Sequence, residues 1–204
     1  MPGQMNEVLR RMRIDAPEFR LEKRADGVDL PVLVGYAAKF NIMTDLGWFT
    51  ESVAPGAFAE TIARPDDIRA LFNHEPNFVL GRNKAKTLEL LEDNVGLVSR
   101  IYPPDTSLGR DLVKSIERGD ITQMSFGFWV ESEQSRFEEG KKPHYTLIKV
   151  RLFDVSPVTF PAYEDTEIDV KRAVRHRLED LNIRAKAEFD RRTREIKLLK
   201  LQTT

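Results

Sequence analysis

Three side chains in this 204-residue sequence have the type and setting that nucleophilic chemistry needs: Ser125, His74 and Asp154. Ser125 lies in Thr122-Gln123-Met124-Ser125-Phe126-Gly127-Phe128. Strand alternation puts Met124, Phe126, Phe128 and Val130 on a core face. Ser125 then shares the opposite face with Ile121, Gln123, Gly127 and Trp129. Gly127 has no side chain, so it leaves room beside Ser125 for another backbone to approach. An exposed hydroxyl next to a gap on a rigid strand suits a nucleophile that receives an extended peptide. The same pattern also describes a solvent-facing serine beside a bulge glycine.

His74 closes Leu71-Phe72-Asn73-His74, the end of a strand expected over 68–74, before a turn expected at Glu75-Pro76-Asn77. Histidine is the usual general base because its unperturbed pKa is near neutral. A surface or capping histidine is the plain alternative. Of the other two histidines, His144 follows a Lys-Lys-Pro turn and His176 lies in a basic tail; neither has a comparable setting. Asp154 follows Ile148, Val150 and Leu152 along one apolar strand face. An ionised carboxylate there is costly unless paired, and a buried acid that orients a histidine would account for it. A strand-end aspartate accepting from Ser156 or nearby amides fits equally.

Other chemistries find little footing. The chain has no cysteine, which removes disulfides, thiolate nucleophiles and zinc-thiolate sites. No His-Glu-x-x-His motif occurs, three dispersed histidines make a weak ligand set, and no metal is expected. There is no Gly-rich phosphate loop, and nothing selects one carboxylate pair for glycoside hydrolysis. No apolar run approaches the roughly 18 residues of a membrane helix. Met1 to Arg13 carries scattered Arg and no apolar core, so it does not read as a signal peptide, and the default compartment is a cytoplasm. A net charge of -1 points to neither nucleic acid nor membrane.

The elements that must position these side chains are mostly strands. Phe19 to Lys23 and Pro31 to Phe40 read as strands about an Ala25-Asp26-Gly27 turn. Pro55 to Arg64 reads as a short helix. Lys86 to Glu92 and Val95 to Tyr102 read as a hairpin about Asp93-Asn94. Asp105-Thr106-Ser107 offers caps for a helix ending at Gly119, with Leu108, Leu112 and Ile116 on one face. Ile121 to Glu131 and His144 to Val155 read as strands around a polar turn, Phe137 to Lys142.

The resulting fold class is mainly β with short helices, and many short strands broken by turns predict a small closed or nearly closed β-barrel. Three segments follow: a loose arm over 1–16, the β-barrel over 17–165, and a charged helical tail over 166–204. Within the tail, 171–200 carries 11 basic against 5 acidic residues, while the remainder carries 21 against 28. Val174, Leu178, Leu181, Ala185 and Phe189 form an apolar stripe at helical spacing. A sign change between segments suggests two functional units.

Taken in order, five stretches resemble one family. They are Val34-Gly35-Tyr36-Ala37-Ala38-Lys39-Phe40, Pro55-Gly56-Ala57-Phe58, Leu71-Phe72-Asn73-His74-Glu75 with Leu80-Gly81-Arg82, Met124-Ser125-Phe126-Gly127-Phe128, and Asp154-Val155-Ser156-Pro157-Val158-Thr159-Phe160-Pro161-Ala162. Over about residues 30–165 the chain resembles the tailed-phage prohead maturation proteases, which are related in fold to the herpesvirus assemblins. The resemblance implies a serine endopeptidase on a herpesvirus-protease-type β-barrel. It carries the base onto His74 and the nucleophile onto Ser125. The family's third position is often Glu and here is Asp154, one methylene shorter.

The resemblance further implies acyl transfer without a cofactor. The implied substrates are the scaffolding segment of the major capsid protein and the protease itself, inside the procapsid in the host cytoplasm and absent from the mature virion. Self-pairing into a homo-oligomer is compatible with the tail. Two other readings fit the residues: a non-catalytic capsid scaffold protein acting through the charged tail, and a nucleic-acid-binding module using its basic residues.

Overall fold

The computed structural model describes residues 19–159 apart from Asp26 and Val28. The arm expected over 1–16, the tail over 166–204 with its stripe and His176, and the centre of the Ala25-Asp26-Gly27 turn lie outside the described residues. Ten strands are present: β1 (Arg20–Glu22), β2 (Val32–Lys39), β3 (Thr44–Asp45), β4 (Thr50–Val53), β5 (Arg69–Phe72), β6 (Glu75–Arg82), β7 (Leu88–Glu92), β8 (Gly96–Ile101), β9 (Gln123–Arg136) and β10 (His144–Val158). Helix α1 (Ala59–Ala63) falls between β4 and β5, and α2 (Ser107–Glu117) between β8 and β9. No helix among the described residues is long and apolar enough to cross a membrane.

The strands form two sheets. One has the order β1-β2-β8-β7, antiparallel throughout. The other is built on β10, which pairs with β9 along nearly its whole length. That uses one edge of β10, so its parallel partners must share the other edge. There β4 pairs with residues 144–147 and β5 with Asp154 and Val155. Between those two partners the edge is covered by α1 and the turn before it: Val150 N donates to Ala57 O at 3.1 Å and Leu152 N to Thr61 Oγ1 at 3.0 Å. The buried backbone is thereby satisfied where no strand can reach it.

The mainly β class with short helices is what the sequence predicts. Strand pairing among the described residues closes neither sheet into a ring, so the expected closed barrel is not formed by continuous pairing. The first sheet ends on β1 and β7, and the second on β9, β3 and β6. Three elements also differ in extent. α1 starts four residues later than expected, because Gly56 has φ 84°, outside the helical region, and 55–58 turn instead. β9 runs on past Glu131 to Arg136, toward the 137–142 turn, while its partner β10 starts at His144 as expected and continues past Val155 to Val158; they form the longest pair in the fold.

One core joins both sheets. It includes Leu33, Ala37, Leu97 and Ile101 from the first, Phe126, Phe128, Leu147, Leu152 and Val155 from the second, and Leu112 and Ile116 from α2. Phe126 stacks on Phe128 with ring centroids 4.8 Å apart and meets Phe58 edge-on at 5.4 Å. Each such pair contributes about 0.5–1.5 kcal/mol beyond area burial. These rings sit on either side of Gly127 and fix the strand that bears Ser125.

Candidate functional site

β10 does not keep the alternation that its sequence suggests. A register shift near Lys149 leaves Leu147 and Val150 in the core, with Ile148 only half-buried. A second shift lies between Leu152, opposite Phe128, and Asp154, opposite Gly127, so Phe153 is the extra residue of a β-bulge. Past the bulge Val155 is the core residue. Asp154 therefore does not continue the apolar face. It is turned to the other face, together with Ser156 and, across the pair, with Ser125 and Gly127. The bulge is held by packing, since Phe153 and Trp129 rings lie 4.4 Å apart and the Arg151 guanidinium sits 5.7 Å from the Trp129 ring centre.

Ser125 sits directly opposite Ser156 in the β9–β10 register. It is 1% exposed, so the expected exposed hydroxyl is instead buried. The space beside it is also not open. A Cβ on Gly127 would overlap Asp154 Oδ1 and the Phe153 ring, far inside van der Waals separation. Glycine is needed at 127 to admit the Asp154 carboxylate, not a second backbone.

His74 arrives from the β5–β6 hairpin. Phe72 pairs with Glu75, leaving Asn73 and His74 as a two-residue turn with φ of 54° and 57°. Both central residues of such a turn need positive φ, which Asn accepts readily. For His the left-handed region costs about 1–2 kcal/mol. The turn expected at Glu75-Pro76-Asn77 is thus two residues too late, and Glu75 already begins β6.

The Asn73-His74 turn is tied to the end of β10. Asn73 N donates to Pro157 O at 3.0 Å, Thr159 N to Asn73 Oδ1 at 2.8 Å, and Asn73 Nδ2 to Thr159 Oγ1 at 3.1 Å. At the far end of the hairpin, Arg82 grips Asp67 through Nε and Nη2 at 2.7 and 2.6 Å. That bond to Arg82, with the nearby positive charges of Arg69, Arg82 and Lys84, holds the Asp67 carboxyl at about 2, below its usual range.

The tied turn brings His74 Nδ1 to 2.5 Å from Asp154 Oδ2, with both side chains at least 96% buried. The same oxygen accepts from Ser156 Oγ at 2.7 Å. Both sequence readings of Asp154, as partner of a histidine and as acceptor from Ser156, hold at once. An ionised carboxylate only accepts, so Nδ1 carries the hydrogen and Nε2 of the neutral ring keeps a free lone pair. His74 Nε2 and Ser125 Oγ are the buried side-chain polar atoms without a hydrogen-bond partner among the described residues. Buried polar groups are nearly always satisfied, and exceptions gather where function requires them.

His144 is elsewhere, ten residues along β10 from Asp154, roughly 30 Å at strand rise. It does have a serine neighbour, which the sequence did not suggest: Nε2 lies 3.0 Å from Ser52 Oγ and Nδ1 2.8 Å from Thr50 Oγ1. Both ring nitrogens are engaged across the β4–β10 pair and neither meets a carboxylate among the described residues, so the group ties two strands together. No group of three or more His, Asp or Glu among the described residues could hold a metal ion. Sequence reasoning missed Asn73 and the true reason for Gly127, and it offered Ser156 only as an alternative to the histidine as partner of Asp154, where the two act together. Asn-His between two strands was the available signal for the first, since Asn is favoured in two-residue hairpin turns.

Residues 18–180 match the family described as caudovirus prohead serine protease, a match that runs past the boundary expected at 165. No curated protein matches the chain. Among solved structures, the bacteriophage T4 capsid assembly protease, gp21, is similar with a TM-score of 0.49 and 11% identity, over 76% of this chain and 99% of that one.

Proposed function

The chain belongs to the caudovirus prohead serine protease family, and from that premise we propose that Ser125, His74 and Asp154 are its nucleophile, base and orienting acid. The observation that carries this reading is the pair of partnerless buried atoms, Ser125 Oγ and His74 Nε2, with Asp154 bonded to the opposite nitrogen of the same ring. In the proposed reaction His74 Nε2 takes the Ser125 hydroxyl proton as Oγ bonds to the scissile carbonyl carbon. The imidazolium returns that proton to the departing amine as the C–N bond breaks, leaving an acyl ester on Ser125. Water, deprotonated by His74, then releases the acid and restores Ser125. Apo enzymes often hold base and nucleophile without a tight bond, which forms when substrate enters.

The proposed substrates are the scaffolding segment of the major capsid protein and the protease itself, cleaved inside the procapsid. The family supports action on capsid proteins; the stripe and charge of the tail support its use as a handle within the shell. The test is hydrolysis of capsid precursor by Ser125→Ala, His74→Ala and the double variant. Each single variant should lose on the order of 10^4-fold or more, and the double should be no worse, because residues acting as one unit are not additive. Retention of wild-type processing by either single variant would overturn the assignment.

A further inference from the structure

We infer that Ser156 is a positioning residue for the proposed reaction, acting on His74 through Asp154. This rests on the site reading above and adds a residue to it. Ser156 is fully buried, opposite Ser125 in register, and its hydroxyl donates to the same Asp154 oxygen that receives His74 Nδ1. A carboxylate on a short side chain can rotate and present either oxygen. Two features remove that freedom. Oδ1 is lodged over Gly127, where no side chain could fit. Oδ2 is held by the Ser156 hydroxyl at 2.7 Å. The carboxylate is thereby set before any substrate binds, and with it the ring plane of His74.

The chemistry also favours hydroxyl at 156 over a smaller or apolar residue. The bulge at Phe153 brings Asp154 onto a face where neither its register partner Gly127 nor Ser125, the next same-face residue on β9, offers it a donor: one lacks a side chain and the other's oxygen bonds to nothing among the described residues. Without Ser156, Asp154 Oδ2 keeps His74 as its one side-chain donor among the described residues. Its orientation would then depend on the very group it is meant to orient. Networks of this kind lose more than one bond when one member is removed.

The test is steady-state hydrolysis of a capsid-derived peptide by the full-length Ser156→Ala and Ser156→Thr variants, with Ser125→Ala alongside. Ser156→Ala should lower kcat by about 10- to 100-fold, with KM changed by less than about twofold. Ser156→Thr, which keeps the hydroxyl, should recover most of the rate. In a Ser125→Ala background, which avoids self-cleavage, the proton NMR signal of the His74 Nδ1 hydrogen should shift when Ser156→Ala is added. Should Ser156→Ala fail to fold, Ser156→Cys keeps the volume with a weaker donor and should show the same fall in kcat. Wild-type kcat in the folded Ala or Cys variant, or an unmoved Nδ1 signal, would overturn the inference. If Ser125→Ala itself cleaves normally, the underlying site reading fails instead.

Discussion

A buried hydroxyl and a buried ring nitrogen with no partner cost about 1–3 kcal/mol each in lost solvation. Ser125 Oγ and His74 Nε2 both bear that cost, and His74 adds a left-handed backbone. Such strain persists where function maintains it. Ser125→Ala should therefore leave thermal stability unchanged or raise it. Gly127 is the more fragile position. A methyl there meets Asp154 Oδ1 and the Phe153 ring, and would push the carboxylate off His74. Gly127→Ala should keep the fold, since it sits on a strand at ordinary φ, yet lose about 100-fold or more in kcat. Parallel peptide assays and circular dichroism would check this, and near-normal kcat would contradict it.

Residue type and neighbours made Ser125, His74 and Asp154 candidates beside plainer readings, and the ordered family-like stretches singled them out. Alternation gave the face of Ser125, opposite Met124, Phe126 and Phe128, but not that of Asp154. One extra residue at Phe153 reverses the parity of everything after it, and that bulge is secured by Trp129 from the neighbouring strand. Local alternation carries no record of such a contact.

At the scale of elements, the β5–β6 hairpin decides the site by its placement, because its turn carries His74. It is held at the tip by Asn73 against Pro157 and Thr159, and at the base by Asp67 against Arg82. The folded Asp67 carboxyl ionises at about 2 against an ordinary 3.8. A carboxyl depressed in the folded state stabilises fully above the ordinary value and loses that contribution as pH falls through the folded one. Asp67→Asn should therefore lower Tm modestly at neutral pH, and the difference from wild type should shrink below pH 3.8 and vanish near 2. Calorimetry across that range checks the sign. A gap that widens with acid would contradict it.

The β7–β8 hairpin was readable from turn chemistry at Asp93-Asn94, and α2 from its cap and the glycine at 119. The Asn73-His74 turn was obscured by Pro76. Proline usually marks a turn, but β6 carries it at an outer edge, where no ladder donor is required.

At the scale of the whole molecule, mainly β architecture followed from many short strands and turns, whereas strand order did not. β10 serves two parallel partners on one edge, a long-range arrangement that periodicity cannot express. Among the described residues the core cluster runs from Leu30 to Val155, and the positive charge surplus is concentrated in 171–200. A chain ending at Asp169 should therefore fold and cleave peptide but enter procapsids poorly, as gel filtration, peptide assay and procapsid incorporation would measure. An unfolded truncated chain would place part of the tail in the core, and normal packaging would remove its docking role. Self-cleavage is expected between about residues 160 and 180, beyond the last core residue.

The most direct test of the central claim is intact-mass spectrometry of the 204-residue chain co-expressed with its capsid precursor, beside the same pair carrying Ser125→Ala. The wild-type pair should show a trimmed precursor and a protease shortened between about 160 and 180, with both chains intact in the Ser125→Ala pair. Identical trimming in the variant, or an uncut precursor with the wild type, would contradict Ser125 as the nucleophile of a capsid-maturing protease.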